Sequence, residues 1–460
     1  MFRLPPELKS LVDRLIDRGL TPYAVGGAVR DAVLGISTTD WDLEVFADSD
    51  SAEVLGVLAE LGFNTLVGRQ FGVFKGVFDG VAVDVSLPRT EVKTGSKHTQ
   101  FEVQLNPRLS FEQAARRRDF TCNAMGVNLV SGQQVDPFGG QADLKATVLR
   151  HVGPAFSEDP LRVMRALQFS GRFGLAIAPE TLLLCQSLSL GDVSAERLWD
   201  EWLKLLLKSP TPSAGLRFFF DLGLDRAFPE FSGLEAVLQD PRYHPEGSVW
   251  VHTLQVVDVM AHHRTGNPTT DAVLMFAALC HDCGKPETTT VSEGRIRSIG
   301  HEQVGAQKAR TFLSKLTRQN DLVDAVCTLV KEHMVPGQLF GANQTKPVRD
   351  EVIRRLAGRI PIALLATLAR ADGLGRVPVG SLLDPHAPHP PSEWLLQRAT
   401  ALEVHEGPAR PLLKGQDFMD VGVPSGPGLG AKLKVAYEAQ LQGAFSTRTE
   451  ALDWLRKQNV

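Results

Sequence analysis

Cysteine is scarce, with five among 460 residues. An odd, sparse set gives no disulfide framework and suits the reducing cytoplasm. Long apolar runs are missing as well. The longest is the nine residues Ala272 to Cys280, and a membrane-spanning helix needs about twenty, so no membrane role is expected. The opening residues, Met1-Phe2-Arg3-Leu4-Pro5-Pro6-Glu7, contain no apolar stretch of the kind a secretory signal needs. Strong charge of either sign is also absent, since the formal net charge is −4. That argues against a basic coat for nucleic acid, although a local basic groove would be enough.

What remains is an ordinary globular composition whose length suggests about three domains, each with ample core. Histidine is unevenly spread. Seven of the twelve lie between His244 and His333, which marks that stretch for chemistry. To about residue 150 the chain mixes strand and helix signals. Tyr23-Ala24-Val25 and Leu43-Glu44-Val45-Phe46 read as strands. Residues 73–78 and 81–85 read as a hairpin closed by Asp79-Gly80. A helix is expected from Ala28. Beyond 150 the pattern turns helical, with Leu161, Met164 and Leu167 at three-residue spacing. Five prolines from Pro378 to Pro391 suggest a linker or extended connection. The last stretch reads as helical, broken by the segment Gly422 to Gly428.

The first chemical constellation is Val25-Gly26-Gly27-Ala28-Val29-Arg30-Asp31 followed by Asp40-Trp41-Asp42. On a strand, residues i and i+2 share a face, so Asp40 and Asp42 project together. A third acid, Asp84, sits on an expected neighbouring strand. Clustered carboxylates repel and call for a hard cation, for which Mg²⁺ is suited. Two glycines let backbone approach a phosphate, and a helix start can hold it. The set describes metal-assisted nucleotidyl transfer. Either piece alone would be an ordinary turn or a solvated pair of acids.

Residues 25–35 with Asp40-Trp41-Asp42 resemble the class II tRNA nucleotidyltransferases, the CCA-adding enzymes and bacterial poly(A) polymerases. Asp84 precedes Arg89 by five residues, as the family's third carboxylate does. Arg117-Arg118-Asp119-Phe120-Thr121-Cys122-Asn123-Ala124-Met125 resembles the ribose-sensing segment, with Cys122 in place of the usual aliphatic. Asp136 to Gly140 and Asp143-Leu144 resemble the end of the head. Ser157-Glu158-Asp159-Pro160-Leu161-Arg162 resembles the base-reading segment, and Ser194 to Trp199 the neck. The resemblance implies an α+β chain: a polymerase-beta-like mixed-sheet head over 1–150, then an all-α neck over 151–230. It implies that Gly26, Gly27 and Arg30 hold the triphosphate and that Arg118 and Asp119 sense the ribose. Asn123, Asp159, Arg162 and Arg165 complete the expected nucleotide-binding set.

Asp159 and Arg162 stand three apart at a helix start, which puts them on one face. A carboxylate accepts from the exocyclic amine of C or A, and a guanidinium donates to the ring acceptor beside it. The pair could therefore select C and A without a template. Alone, it would be read as a helix ion pair. Residues 85–125 hold seven Lys or Arg against four Asp or Glu, a modest positive excess suited to triphosphate and acceptor stem. The polar segment Arg89 to Lys97 is expected to be a mobile loop. It resembles the flexible loop of enzymes that complete CCA, which those adding only CC tend to lack.

In the helical half, His252, the adjacent His281-Asp282 and the distant Asp372 form the second constellation. Imidazole with carboxylate suits Mn²⁺, Ni²⁺, Fe²⁺ or Mg²⁺. The order resembles the HD superfamily of metal phosphohydrolases, here over 231–375, with Lys285 in its typical context. His301 and His333 fall where some HD proteins add ligands or phosphate contacts. The Cys280/Cys283 pair is read as helix packing. The resemblance implies phosphatase and 2′,3′-cyclic phosphodiesterase activity on RNA ends. Residues 376–460 would supply the linker and a helical tail, in which Leu412 to Asp417 and Gly422 to Gly430 resemble the part that grips the tRNA elbow.

The leading expectation is thus a cytoplasmic enzyme adding C and A from CTP and ATP to the tRNA 3′ end. A split-function enzyme adding only A or only CC shares every catalytic residue. A poly(A) polymerase is disfavoured by the HD domain and by the lack of a basic tail. An HD hydrolase with a passive RNA-binding front is disfavoured by the intact acid triad. The oligomeric state is not legible.

Overall fold

The computed structural model describes residues 2–63, 66–67, 72–93 and 101–458. The chain divides into two compact units, residues 1–205 with 214–227, and residues 206–213 with 228–460.

The first unit opens with α1 (Pro6–Asp17), started by proline at its first position, with Leu8, Leu11, Val12 and Leu15 buried along one face. Then come β1 (Thr21–Val25), α2 (Gly27–Leu34), β2 (Trp41–Phe46), α3 (Ser51–Glu60), β3 (Leu66–Val67), β4 (Val73–Phe78) and β5 (Val81–Ser86). β6 (Arg89–Lys93) and β7 (Phe101–Leu105) pair with each other as a separate ribbon, β8 (Gly126–Asn128) and β9 (Gln134–Val135) complete the large sheet, and Val148–Leu149 with Ala176–Ile177 makes a short parallel pair. The seven-stranded sheet runs β3-β4-β5-β2-β1-β8-β9. It is mixed, because β2 and β5 are parallel and every other pairing in it is antiparallel. The expected hairpin is present: β4 and β5 join through Asp79 and Gly80, both at positive φ (45° and 84°), as a tight two-residue turn requires.

One expectation changes. Arg89 to Lys93 is not loop but the strand β6, in antiparallel register with β7; residues 94–97, the rest of the expected flexible loop, lie outside the described residues. After the sheet, the helix Leu161–Phe173 buries Leu161, Met164 and Leu167, the three positions whose spacing announced it. The helix Ala195–Lys208 follows.

Among its described residues the second unit is helical except for one hairpin, Thr289–Ser292 with Arg295–Ser298. Its frame is Val249–His262, Pro268–Cys280, His301–Leu316, Asn320–Glu332 and Ile362–Leu374. The apolar run Ala272 to Cys280 is buried throughout, which explains why it lacks helical periodicity. Cys280 and Cys283 are buried and free, as packing residues. The expected proline linker is only partly a linker. Pro390 and Pro391 begin the helix Pro390–Ala401, and the connection before it is pinned by Arg370, which donates to Ala387 O (3.0 Å) and pairs with Glu393 (2.8 Å). Beyond it, Leu413, Phe418, Val423, Ala436, Phe445, Ala451 and Leu455 form a separate small core.

Candidate functional site

A cavity of about 1150 Å³ opens over the middle of the head sheet. Gly26, Gly27, Arg30, Asp40, Asp42, Asp84, Arg118, Asp119, Asn123 and Arg165 all reach its wall. Sheet register explains the acids. Asp42 and Asp84 are direct partners across the parallel β2–β5 pair, and Asp40 lies two residues before Asp42, just ahead of the strand. Burial raises the Asp42 carboxyl above its usual range; Arg118 opposes this, and the nearby Asp84 and Asp40 charges add to it. Such crowding is what a divalent ion relieves, and an all-oxygen donor set fits Mg²⁺. The three acids share the cavity, but among the described residues only the histidine region holds three ligand atoms already within 4.8 Å of one another.

The glycine turn is more specific than its sequence suggested. Gly26 caps α2 at φ 65°, ψ −127°, a conformation closed to side chains. A Cβ there would stand 3.4 Å from Arg118 Nη1 and 3.5 Å from Asp42 Oδ2. Gly27 is simply the first helical residue. The first N–H groups of α2 are thereby brought beside the acids, where an anion is favoured.

Arg30 lines the cavity but is largely committed elsewhere. It is buried against Phe173 (4.3 Å to the ring centre), donates twice to Asp31 (2.6 and 2.8 Å), and donates to Asn123 Oδ1 (2.8 Å). Asn123 Nδ2 passes the chain on to Asp119 Oδ1 (2.9 Å), and Arg165 Nη2 lies 2.6 Å from Asp119 Oδ2. Burial alone would raise the Asp119 carboxyl, but Arg165, Asn123 and Arg162 outweigh it and hold it below its usual range. Arg118 is tied to Glu44 Oε2 (2.8 Å) and Asn123 O (3.0 Å). The expected ribose-sensing residues therefore form one braced network under the cavity.

A second cavity, about 390 Å³, is lined by Asp159 and Arg162 with Arg117, Arg118, Asp119, Arg165 and Arg197. The helix begins at Leu161, so Asp159 lies just outside it. The two residues expected to read the base do not pair with each other. Asp159 Oδ2 takes Arg197 (2.7 Å), and Arg162 donates to Ala155 O (2.6 Å) and Arg117 O (2.8 Å). The intrahelical ion pair is thereby excluded, and both groups line one pocket. Arg197 was missed in the sequence, as was Lys75, which faces Asp84 across β4–β5 with Nζ 3.6 Å from Oδ2.

In the second unit the four expected ligands meet. His252 Nε2 lies 3.1 Å from Asp372 Oδ1 and 3.9 Å from Asp282 Oδ2, and His281 Nε2 lies 3.2 Å from the same Oδ2. His301 and His333 join from the other side, with Nε2 atoms 3.3 and 3.9 Å from Asp282 Oδ1. The Nδ1 atoms of His281, His301 and His333 each donate to a carbonyl three residues earlier, at 2.8, 2.6 and 2.6 Å. That fixes the tautomer with Nε2 as the lone-pair nitrogen. The Nε2 atoms of His301 and His333 face each other at 3.3 Å, a contact that either a proton or a metal ion can bridge. His281 Nε2 is buried and makes no hydrogen bond, and Asp282 Oδ2 beside it is shared between that nitrogen (3.2 Å) and Lys285 Nζ (2.7 Å). The donor set fits a divalent transition ion.

Burial lowers His333 to about 3, assisted by His281. Asp282 is held well below its usual range, burial notwithstanding, by His281 and Lys285. The sequence missed two supports, Glu246, whose Oε1 lies 2.8 Å from His252 Nδ1, and Arg376, which pairs with Asp372 (2.7 Å). Glu246 sits inside the histidine-rich window and Arg376 four residues beyond Asp372, so both were within reach of a neighbourhood search. A cavity of about 450 Å³ over this cluster is lined by Lys285, Arg297 and Arg376 among others.

Comparison with known proteins assigns the regions that carry both clusters to known domain families. Residues 22–150 match the Poly A polymerase head domain, 174–234 the "Probable RNA and SrmB-binding site of polymerase A", and 249–376 the HD domain. A multifunctional CCA protein of Xanthomonas campestris pv. campestris is 36% identical over 441 residues, spanning 93% of this chain and 99% of that one. One from Methylococcus capsulatus is 34% identical over 444 residues, spanning 93% and 97%. In fold, the chain resembles the Bacillus stearothermophilus CCA-adding enzyme solved with CTP (TM-score 0.65, 24% identity, 99% of this chain and 98% of that one). It also resembles the Thermotoga maritima CCA-adding enzyme solved with tRNA (TM-score 0.58, 18% identity, 100% and 97%).

Mixed-sheet head and histidine–aspartate domain together define a metal-dependent nucleotidyltransferase joined to an HD domain. At this identity, over nearly its full length, the chain belongs to the family of multifunctional CCA proteins. Among the described residues no helix is long and apolar enough to cross a membrane.

Proposed function

We propose that the head adds C, C and A to the 3′ end of tRNA, with CTP and ATP as donors and no template. The observation behind this reading is the Asp42–Asp84 register pair facing the Gly26 turn in one cavity. Asp40 and Asp42 would hold Mg²⁺. When bound, that ion would supply positive charge for the triphosphate and for the attacking hydroxyl. The Gly26–Gly27 backbone and the start of α2 receive the phosphates. Asp84 orients the RNA 3′-hydroxyl and accepts its proton. Arg118 and Asp119, braced by Asn123 and Arg165, meet the ribose. Asp159 and Arg162 present an acceptor and a donor to the base edge. Arg30 serves this arrangement by locking α2 to Asn123.

In the second unit, His252, His281, Asp282 and Asp372 would hold Mn²⁺, Ni²⁺ or Mg²⁺, which would supply Lewis acidity for phosphate hydrolysis. Lys285, Arg297 and Arg376 place cations around a bound phosphate. The activity that suits this is removal of terminal and 2′,3′-cyclic phosphates from RNA ends before nucleotide addition. Five free, buried cysteines accord with a cytoplasmic setting.

The deciding experiment offers the purified protein three tRNAs, ending before CCA, after C and after CC, with ATP, CTP or both. Completion of all three with both nucleotides is expected. Extension of only the first two, or only the last, would identify a split-function enzyme. Long indiscriminate tails would identify a poly(A) polymerase.

A further inference from the structure

Lys75 has no part in the reaction as derived above, yet it stands inside the transfer cavity. It faces Asp84 directly across β4–β5. Its Nζ is 3.6 Å from Asp84 Oδ2, and 59% of the side chain is exposed. At that distance the ammonium is attracted to the carboxylate without being locked to it, so it can swing to another anion.

Strand order says which anion. The sheet runs β1, β2, β5, β4 across the cavity. The glycine turn follows β1, Asp42 is on β2, Asp84 on β5 and Lys75 on β4. The triphosphate side is fixed by the turn, by α2 and by Arg118, which lies 3.4 Å from where a Gly26 Cβ would be. The opposite flank is left for the second reactant, the RNA end. Among the described residues lining this cavity the other cations are Arg30, Arg118, Arg165, Arg172 and Lys204, and none of them is on the β4–β5 hairpin. Beside Lys75 that hairpin shows Val77, 73% exposed, in register with Ala82, a shelf without charge.

We propose that Lys75 is an acceptor-binding residue: its ammonium contacts the last internucleotide phosphate of the RNA while Asp84 faces the terminal hydroxyl of the same nucleotide. The inference rests on the head cavity being the site of transfer. It differs from mere neutralisation of the acids, which would change turnover or nucleotide binding and leave RNA binding alone.

The test measures CTP incorporation by the full-length protein into a tRNA lacking CCA, with KM values for RNA and CTP determined separately. For K75Q the RNA KM should rise about five- to tenfold, with CTP KM within about twofold. The salt dependence of RNA binding should lose about 0.7–1 of its logarithmic slope, the signature of one phosphate contact. K75R, keeping the charge, should restore most of the affinity. An RNA whose last internucleotide linkage is an uncharged methylphosphonate should raise KM for wild type and not for K75Q. Equal penalties in both proteins, or a change confined to CTP KM or kcat, would overturn the role of Lys75. If the wild-type protein incorporates nothing, it is the assignment of the cavity itself that fails.

Discussion

Replacing Arg165 with methionine tests the brace beneath the head cavity. The guanidinium meets Asp119 at 2.6 Å, and Asp119 is buried. Breaking a buried pair by removing one partner costs about 3–5 kcal/mol. Two features reduce this. Arg165 is 30% exposed, so water screens part of the attraction. Asp119 also keeps the N–H groups of Phe120 (2.8 Å) and Asn123 (2.9 Å). A loss of about 2–3 kcal/mol remains, and at about 2–4 °C per kcal/mol the first unit should melt about 4–12 °C lower at pH 7. The sign with pH follows from Asp119. Its folded pKa lies below the ordinary value, so in wild type its contribution is complete above the unfolded pKa, about 3.9, and is lost as pH falls through the folded value. Without Arg165 the buried acid titrates higher and can protonate to shed its unpaired charge. The gap between the two proteins should be widest near neutrality and narrow in acid. Thermal unfolding followed from pH 7 to pH 4 measures it. A gap under about 0.5 kcal/mol, or one that does not change with pH, would refute the argument.

Asp42→Asn should abolish incorporation and leave the melting temperature equal or higher, because burial and two neighbouring acids already raise the Asp42 pKa and the ionised form is a liability to folding; a thermal scan beside an incorporation assay checks both halves. Gly26→Ala must adopt φ near 65° and ψ near −127°, at a cost of about 1–3 kcal/mol, and should lose incorporation much more steeply than stability when the two are measured on the same preparation. Arg162→Ala should keep turnover but accept U and G, read by offering each nucleotide alone; unchanged preference would remove it from base reading. Wild type should be stabilised against heat by added Mn²⁺ or Ni²⁺, and Asp282→Asn should not be, since Asp282 touches both halves of the histidine cluster.

How much of this could be read in advance depended on distance along the chain. The hairpin at Asp79-Gly80 and the helix from Leu161 are local and were legible from turn chemistry and spacing. The cluster of His252, His281, Asp282 and Asp372 was legible by motif order, with the adjacent His-Asp as its anchor. The partners of Asp159 and Arg162 were not. Three-residue spacing suggested an ion pair, but Asp159 precedes the helix and its carboxylate finds Arg197, 38 residues on, while Arg162 turns to carbonyls. β6 was misread for a related reason: a polar, glycine-containing segment can still be a strand when its hydrogen bonds go to a partner, here Arg89 with Leu105, that local composition does not reveal. Lys75 escaped because nothing about a lysine in Val73-Phe74-Lys75-Gly76 distinguishes it from any exposed strand residue until the register sets it opposite Asp84.

The two sites solve opposite electrostatic problems. In the head, three carboxylates are gathered with Arg118 and Lys75 at their edges, and the cations do not fully offset them, so the Asp42 carboxyl stays raised. An all-oxygen set of that kind binds a hard ion loosely and lets it come and go with the nucleotide it accompanies. In the second unit, the ring nitrogens of His281, His301 and His333 are fixed in one tautomer by backbone carbonyls before metal binds, and Asp282 and Asp372 stay ionised although buried. No proton need be shed from those carboxylates at neutral pH, so an ion entering there gains the whole benefit of a preformed, desolvated set.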